Sequence, residues 1–498
     1  MIKRKLSKCS SIGKLMILIG FFVIFPVLIM PVYMQDKEFI PAFLIPGAAS
    51  VLLGFIICIF TKKESFEKTS WRDSVMKSSL TVVFAWLWGV LIGALPFYFG
   101  GQLTFIQSVF EAVSGWTTTG LSTMDVSITP MIYLFHRSFM QYCGGLGFIL
   151  MMMVIITNKQ SAELYSAEGH PDRIMPNIRK TSRMIFLIYN FCLLVGTIAY
   201  RIAGMPVFDG VCHAMCSLST GGFSTKLGSI GEYDSVAIEA ITIILMIIGT
   251  TNFAALILLA KGKIKAFSKI SEVRFMCLVF AIFIPLTAWS LSDGLNISYL
   301  QGLRKAAFDL VSALSTSGYS TMSYENWPQA AITIMILMML IGGGMGSTAG
   351  GLKLTRVYLL LRMGMTNIRR RLSPTNDVEA PYYIKAQGRA AISKDVVEDT
   401  IGYFVTYILI FLTGSILITV TADCTITAAM FDFSSAIGTV GLSMGITNPM
   451  TNNATLIIEI VGMLLGRLEI FIVLTGIVSV FRKAAIKTSR IFEKQKAK

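Results

Sequence analysis

Four short stretches of this chain arrange oxygen-bearing residues around a glycine in the same way: WTTTGLS, LSTGGFS, LSTSGYS and IGTVGLS. Aligned on Gly120, Gly222, Gly318 and Gly441, each has a Thr two residues earlier (Thr118, Thr220, Thr316, Thr439) and a Ser two residues later (Ser122, Ser224, Ser320, Ser443). The residues between are Thr119, Gly221, Ser317 and Val440. The chemistry such a set can perform is cation binding. Glycine lets the backbone turn so that carbonyl oxygens, rather than side chains, face an ion. The Thr and Ser hydroxyls add oxygens or anchor the loop. Against this, Gly, Ser and Thr are the default composition of any turn, so the weight rests on four copies in register and on what surrounds them.

Each copy carries more than the loop. Nine residues before the glycine stand Glu111, His213, Asp309 and Asp432; ten before stand Phe110, Cys212, Phe308 and Phe431; six before stand Ser114, Cys216, Ser312 and Ser435, all small. This pattern predicts a short helix opened by a polar group and running into the loop, an acidic residue near a helix N-terminus being favourable against the dipole. The helix ends at the loop, so its negative dipole end favours a cation there.

The rest of the chain is built to hold such loops in a membrane. Of 498 residues, 54% are hydrophobic and only 14% charged, with mean hydropathy +0.68, against roughly 25% charged in soluble domains. Ten apolar spans are expected, at 12–33, 40–61, 78–100, 129–157, 184–204, 236–260, 273–292, 328–363, 400–421 and 453–481, each long enough for about 30 Å of hydrocarbon. With the N-terminus inside, segments 1–14, 62–77, 158–183, 261–274, 362–398 and 482–498 face the cytoplasm and hold most of the 43 Lys and Arg. This positive-inside asymmetry places both termini in the cytoplasm. It also accounts for the net charge of +15 without a nucleic acid partner.

All four loops enter from the other side, each between two long spans. The expected organisation is an all-α polytopic protein of four parallel span–pore-loop–span repeats around one ion path, preceded by two extra helices. The divisions are 1–70 for the extra helices, 71–180, 181–270 and 271–395 for the first three repeats, and 396–498 for the fourth with a basic tail. Non-helical backbone at membrane depth is tolerated only where it lines a cavity or is buried in protein. Four same-sided re-entrant loops describe a pore.

Two further features stand out. Gly342, Gly343, Gly344, Gly346, Gly350 and Gly351 crowd one stretch of the third repeat with Ser347, Thr348 and, just beyond, Lys353. Each Gly costs about 1 kcal/mol relative to Ala in a helix, so a straight span is not expected there; the alternative is a glycine-rich packing seam. The spacing from Gly346 to Gly351 resembles a phosphate loop, but Leu352 stands where Lys is needed, and no strand–turn–helix context surrounds it. Arg467, midway along the last span, is expensive there, roughly 2.5–3.5 kcal/mol on insertion scales, and marks an ion path unless it is a packing Arg bonded to backbone carbonyls. The cysteines show no paired spacing, and Cys212, His213 and Cys216 read as packing rather than a metal cluster.

At these residues the chain resembles the Trk/Ktr/HKT superfamily of potassium transporters, and within it the TrkH type, over nearly its whole length. The two extra N-terminal helices are a TrkH-type feature. The resemblance implies that Gly120, Gly222, Gly318 and Gly441, with their flanking residues, form a K+ filter; a serine replaces the first glycine in some sodium-preferring members, and Gly120 is kept here. It implies that residues 342–353 form an intramembrane gating loop beneath the filter, with Arg467 beside it. It further implies a homodimer and a cytosolic nucleotide-binding ring of TrkA or KtrA type, so that a nucleotide is bound by the partner and no cofactor by this chain. Two other classes stay open: an alternating-access K+/H+ or K+/Na+ symporter, and a membrane-embedded enzyme. The three His (His136, His170, His213) are scattered and give the latter little to work with.

Overall fold

The apolar composition is organised into sixteen helices of eight residues or more, a few shorter helical turns and one hairpin in the computed structural model, which describes residues 11–60, 71–147, 178–372, 381–468, 470–471 and 473–475. Two helices come first, α1 (Ser11–Ile24) and α2 (Ile40–Phe60). The first repeat follows as α3 (Trp71–Phe99), α4 (Phe105–Trp116) and α5 (Met131–Leu146). The second comprises α6 (Ile178–Ile202), α7 (Val207–Leu218), α8 (Val236–Thr250) and α9 (Phe253–Ala260). The third comprises α10 (Ser271–Leu295), α11 (Tyr299–Ser315), α12 (Gln329–Ile341) and α13 (Leu354–Leu372). The fourth, after a hairpin, comprises α14 (Lys394–Ala422), α15 (Ile426–Gly438) and α16 (Asn453–Arg467).

Among the described residues, six helical stretches are long and apolar enough to cross a membrane: Ser11–Ile29, Met34–Phe60, Ser79–Phe99, Thr181–Ile202, Ser271–Leu295 and Lys394–Ala422. They fall within a few residues of expected spans. All but Ser79–Phe99 are less than half buried, with apolar side chains facing outward: Phe21, Leu52, Phe191, Trp289 and Leu409 are exposed. Apolar side chains turned outward over whole helices are what a lipid solvent selects.

The expected second spans of the repeats are not straight rods. The α8–α9 pair bends by 114° at Thr251–Asn252. Helix α5 stops at Gly147 (φ 79°), α12 at Gly342 (φ 68°), and α16 at Leu468. A break was expected in the third repeat alone; the second repeat's is a correction. Its signal was Asn252, whose side chain accepts the Ala254 N–H at 2.7 Å and caps the new helix. The expected span residues 148–157 and 476–481 lie outside the described residues, as do 1–10, 62–70, 158–177, 373–380 and 482–498 of the basic segments.

Among the described residues, one element departs from the all-α expectation. Between α13 and α14, β1 (Tyr382–Lys385) pairs antiparallel with β2 (Gly388–Ala391), register Tyr382 to Ala391. The Ile384 N–H donates to Ser271 Oγ at 2.9 Å, seating the hairpin on the start of α10. Alternating Tyr-Tyr-Ile-Lys against a short turn is a strand pattern too brief to stand out between helices.

The two N-terminal helices cross along a seam of small residues. A Cβ added to Gly20 or Gly54 would lie under 3.0 Å from the carbonyls of Gly47 and Gly13, so the backbones touch. Ser50 Oγ donates to the Met16 carbonyl at 2.8 Å and accepts from Trp88 Nε1 of α3 at 2.8 Å, fastening the pair to the first repeat. Gly47→Leu should force the pair apart and destabilise the protein by about 1–3 kcal/mol, the usual cost of overpacking. Thermal unfolding of the purified protein in detergent checks this: an unchanged midpoint would mean the pair lies outside the cooperative unit.

Candidate functional site

The four short helices α4, α7, α11 and α15 are buried at their loop-proximal ends and terminate in the same way. The N–H of the residue before each aligned glycine reaches back five residues: Thr119 to Ser114 (2.9 Å), Gly221 to Cys216 (2.8 Å), Ser317 to Ser312 (2.9 Å) and Val440 to Ser435 (2.8 Å). The Thr before it bonds three residues back, closing a Schellman-type end. That end needs a left-handed residue, normally Gly, and here it is Thr118 (φ 55°), Thr220 (53°), Thr316 (56°) and Thr439 (51°). A β-branched residue there is a genuine outlier, of the kind held at functional sites. Two residues on, Gly120, Gly222, Gly318 and Gly441 are left-handed again, with φ from 74° to 99°.

The four loops close into a ring. A Cβ on Gly120 would run into the Gly221 carbonyl, on Gly222 into Ser317, on Gly318 into Val440, and on Gly441 into Thr119. Each separation is under 3.0 Å, which real Cβ atoms do not tolerate. The first repeat therefore abuts the second, the second the third, the third the fourth, and the fourth the first. All four Thr side chains are fully buried. The arrangement encloses backbone carbonyls and Thr hydroxyls around one axis, a ligand set suited to a dehydrated monovalent cation.

The residues nine positions before each glycine do not open the helices, as the sequence pattern suggested. The helices begin earlier, at Thr104 with a capping box to Gln107, at Pro206, at Ser298 and at Thr425. Glu111, His213, Asp309 and Asp432 lie past the first turn and clamp the strand leaving the ring. Glu111 accepts from Ser122 Oγ (2.6 Å) and the Thr123 N–H (2.7 Å). His213 donates Nδ1–H to the Asp209 carbonyl (2.8 Å) and pairs Nε2 with Ser224 Oγ (3.0 Å). Asp309 accepts from Thr321 Oγ1 (2.7 Å) and Tyr324 OH (2.8 Å). Asp432 accepts from Ser443 Oγ (2.6 Å) and the Met444 N–H (2.7 Å). The dipole argument thus gives way to a simpler one: each loop needs acceptors for its own buried donors.

The glycine-rich stretch lies against one side of this ring. Its two feet meet: Leu352 N–H bonds the Leu340 carbonyl (3.0 Å), Lys353 N–H the Ile341 carbonyl (2.9 Å) and Leu354 N–H the Gly343 carbonyl (2.9 Å). A Cβ on Gly342 or Gly351 would collide with the other foot, which explains both glycines. Lys353 is left-handed (φ 78°) and its ammonium donates to the Ala349 carbonyl. The break in the second repeat receives the loop: Gly344 N–H bonds the Thr250 carbonyl (3.0 Å), Phe253 N–H the Gly346 carbonyl (3.1 Å), and Thr348 Oγ1 the Gly249 carbonyl (2.9 Å). Ser347 Oγ donates back to Gly344 (2.7 Å). Gly350 donates its N–H to Thr316 Oγ1 at 2.9 Å, and Thr348 Oγ1 lies 3.1 Å from Thr220 Oγ1. The loop therefore touches the ring's threonines directly.

Arg467 sits at the end of α16 between this loop and the first repeat. Its guanidinium donates to the carbonyls of Thr348, of Gly144 (2.6 Å) and of Gly145 (3.4 Å), and lies 5.9 Å from the Trp86 ring. Of the two sequence readings, the structure shows an Arg bonded to carbonyls, one of which belongs to the loop. Glu469 lies outside the described residues.

A scan against known protein families matches residues 47–483 to a family described as TrkH, cation transport protein. The chain belongs to the TrkH family. It is 30% identical to the "Trk system potassium uptake protein TrkH" of Salmonella typhimurium over 484 residues, covering 93% of this chain and 96% of that one. It is 31% identical to the protein of the same name from Halomonas elongata over 410 residues, covering 79% and 83%. Among solved structures, the potassium transporter TrkH from Vibrio parahaemolyticus superposes with a TM-score of 0.80 at 27% identity, covering 93% of this chain and 96% of that one. The chain is thus a multi-pass membrane protein with the TrkH fold.

Sequence reasoning missed four residues that brace the site. Gln141 of α5 donates Nε2–H to the Gly221 carbonyl (2.6 Å) and accepts the Phe223 N–H (3.1 Å), so the first repeat supports the second repeat's loop. Asn252 donates to the Met345 carbonyl, and Glu272 accepts the Met345 N–H at 2.7 Å, holding the loop's far tip. The available signal was a lone amide or acid next to an apolar run, which does not announce its partner. Arg137 of α5 is the counterion the sequence did not assign: it lies 3.1 Å from Glu111, both buried, and donates to Ser122 Oγ at 2.8 Å.

Removing one partner of a buried pair leaves an uncompensated charge, at a cost of about 3–5 kcal/mol. Arg137→Met should therefore destabilise the protein by that order, and adding Glu111→Gln should restore much of the loss. Thermal unfolding of the single and double variants decides it; equal midpoints for both would show that the pair does not act as a pair.

Proposed function

We propose that this chain is the K+-translocating subunit of an uptake system in the cell membrane. Potassium passes through the ring built on Thr118–Gly120, Thr220–Gly222, Thr316–Gly318 and Thr439–Gly441, and residues 342–353 with Arg467 gate it. The observation that carries this reading is the closure of four left-handed Thr-x-Gly turns into one ring, each glycine against the next repeat's backbone. Support comes from relatives named as potassium uptake proteins. The protein performs transport, not catalysis. A positive charge at Arg467, fixed to the loop beneath the ring, opposes leak while the loop is seated and moves with it when it leaves.

On this reading both termini and the hairpin face the cytoplasm, and the chain works as a homodimer in the lipid bilayer with a cytosolic nucleotide-binding ring of TrkA or KtrA type. The exposed lysines and arginines at 261–274 and Arg369–Arg371 support docking on that side; the basic tail 482–498 lies outside the described residues. Potassium-limited growth of a transport-deficient strain expressing the chain, with and without such a ring, is the direct test: no rescue by a membrane-inserted chain in either case would sink the reading.

If backbone at the ring sets selectivity, Gly120→Ser, Gly222→Ser, Gly318→Ser and Gly441→Ser should each lower the preference for K+ over Na+ more than they lower expression. Ser127→Ala, which loses only a surface bond to Asp125, is the control. Parallel K+ and Na+ uptake measurements check this; four active variants with unchanged selectivity would reduce the stretches to ordinary turns.

Arg467→Ala removes three carbonyl contacts and a charge, so it should raise K+ flux in a protein that still folds. Lower flux from a well-folded variant would assign Arg467 to packing alone.

A further inference from the structure

The second spans of the four repeats place different side chains at one equivalent position. Seven residues after the N-cap of each stand Arg137 (N-cap Pro130), Thr242 (Ser235), Met335 (Pro328) and Glu459 (Asn452). In the first repeat this residue is the counterion of the clamp acid, Arg137 beside Glu111. In the fourth, the same position brings a second acid to the clamp acid Asp432. Asp432 and Glu459 are both fully buried, and among the described residues neither takes part in an ion pair. The charge that the first corner balances is left unbalanced at the fourth.

The hydrogen bonds distinguish the two acids. Asp432 accepts from Ser443 Oγ, from the Met444 N–H and, at 3.4 Å, from the Thr447 N–H. Three donors suit a carboxylate. Glu459 has one partner, Thr447 Oγ1 at 2.9 Å from its Oε1, and its Oε2 has none among the described residues. Thr447 Oγ1 also bonds the Asp432 carboxylate. A hydroxyl carries one hydrogen and two lone pairs, so Thr447 cannot donate to both acids. One added proton completes the set: the Thr447–Glu459 bond reverses, Glu459 donates to Thr447 Oγ1, and Thr447 donates onward to Asp432. Two carboxylates sharing a buried site with no counterion are otherwise costly.

We propose that Asp432, Thr447 and Glu459 form a proton-binding site behind the fourth corner of the ring, filled from the outer solution. With the proton bound, the site carries one negative charge and Asp432 holds Ser443, two residues past Gly441. On release, the Glu459 O–H bond breaks, the proton passes to water, and two negative charges face each other across Thr447. Their repulsion loosens the clamp on the fourth strand, so K+ is bound less well as the outer pH rises. The effect on K+ rests on the reading of the ring as a cation path; the proton site does not. Helix α16 packs on α15, α14 and α4. The titratable group of α15 is Asp432 itself, and that of α4 is Glu111, already paired with Arg137. Helix α14 meets α16 where Thr421 lies 2.9 Å from Thr455, far from its own charged residues at 394–399; just past its end, Asp423 and Asp432 both act on Cys424. On α16, Arg467 is two turns away and bonded to carbonyls. Thr447 is 8% exposed and lies two residues from exposed Gly445, so the outer loop is the proton's route.

Two measurements on the full-length chain test this. Infrared spectra of the purified protein at neutral pH should contain a protonated-carboxyl band that Glu459→Gln removes; spectra unchanged by that substitution would overturn the site. In cells expressing the chain, apparent K+ affinity in uptake should weaken by roughly fivefold or more as the outer solution goes from acid to alkaline, the lower end of typical couplings between sites. Glu459→Gln, whose amide donates to Thr447 as the protonated acid does, should keep the acid-side affinity throughout. Glu459→Met, carrying the residue of the third repeat, should be equally flat, since the response needs a titrating group at 459. A wild-type pH profile in either variant, with the protein folded and inserted, would leave the proton a structural one and overturn its coupling to K+. If the wild-type chain moves no K+ at any pH, the cation-path reading falls, and the infrared band alone decides the proton site.

Discussion

The constraint on which everything else depends is that irregular backbone inside a membrane has no water to satisfy it. Each ring-forming turn exposes several N–H groups at the end of a short helix, and an unsatisfied one costs several kcal/mol in hydrocarbon. The protein meets this locally. The turn's own helix takes the first donors through its Schellman-type end, and the buried side chain on that helix takes the next ones through the clamp. Only then can the remaining oxygens be left for an ion. The broken second spans follow from the same rule, since the carbonyls freed at Gly249 and Thr250 are the acceptors that hold the glycine-rich loop.

What could be read from the sequence was whatever repeats locally. The Thr-x-Gly-x-Ser stretches were legible because each residue acts through its own backbone conformation, and the apolar spans because lipid imposes their length. The clamp residues were visible as a column but misplaced in their helices: spacing to the glycine does not say where a helix begins, and the capping residues Thr104, Pro206, Ser298 and Thr425 share no single type. Gln141 acts across repeats and Glu272 on a distant loop, where sequence distance carries no information, and the pairing of Arg137 with Glu111 joins two helices of one repeat whose packing the sequence does not give. The hairpin at 382–391 was hidden by its brevity.

The clamps also show how far four equivalent positions can diverge while doing one task. The first is a carboxylate neutralised by Arg137, the second an imidazole, the third a carboxyl held by Tyr324. In the fourth, Asp432 is joined through Thr447 to a second buried acid, Glu459: the Thr447 N–H lies 3.4 Å from Asp432 and its hydroxyl donates to Glu459 at 2.9 Å. The shared requirement is a buried acceptor aimed at the outgoing strand, and four chemistries meet it. The glycines, by contrast, have one solution, because each has the next repeat's backbone where a Cβ would go.

That difference bears on how such a chain can change over time. Four separate subunits drawn from one gene must alter all corners of a ring at once, so an improvement at one corner is inherited with its cost at the other three. Four repeats fused in one polypeptide are free of that coupling everywhere except at the ring contacts, where each corner is the mould of the next. Innovation is therefore channelled away from the ring and into the parts that are singular. The glycine-rich loop is such a part: it belongs to the third repeat, is received by the second and is held by an arginine of the fourth. An off-centre device of this kind has no counterpart in an assembly of identical subunits.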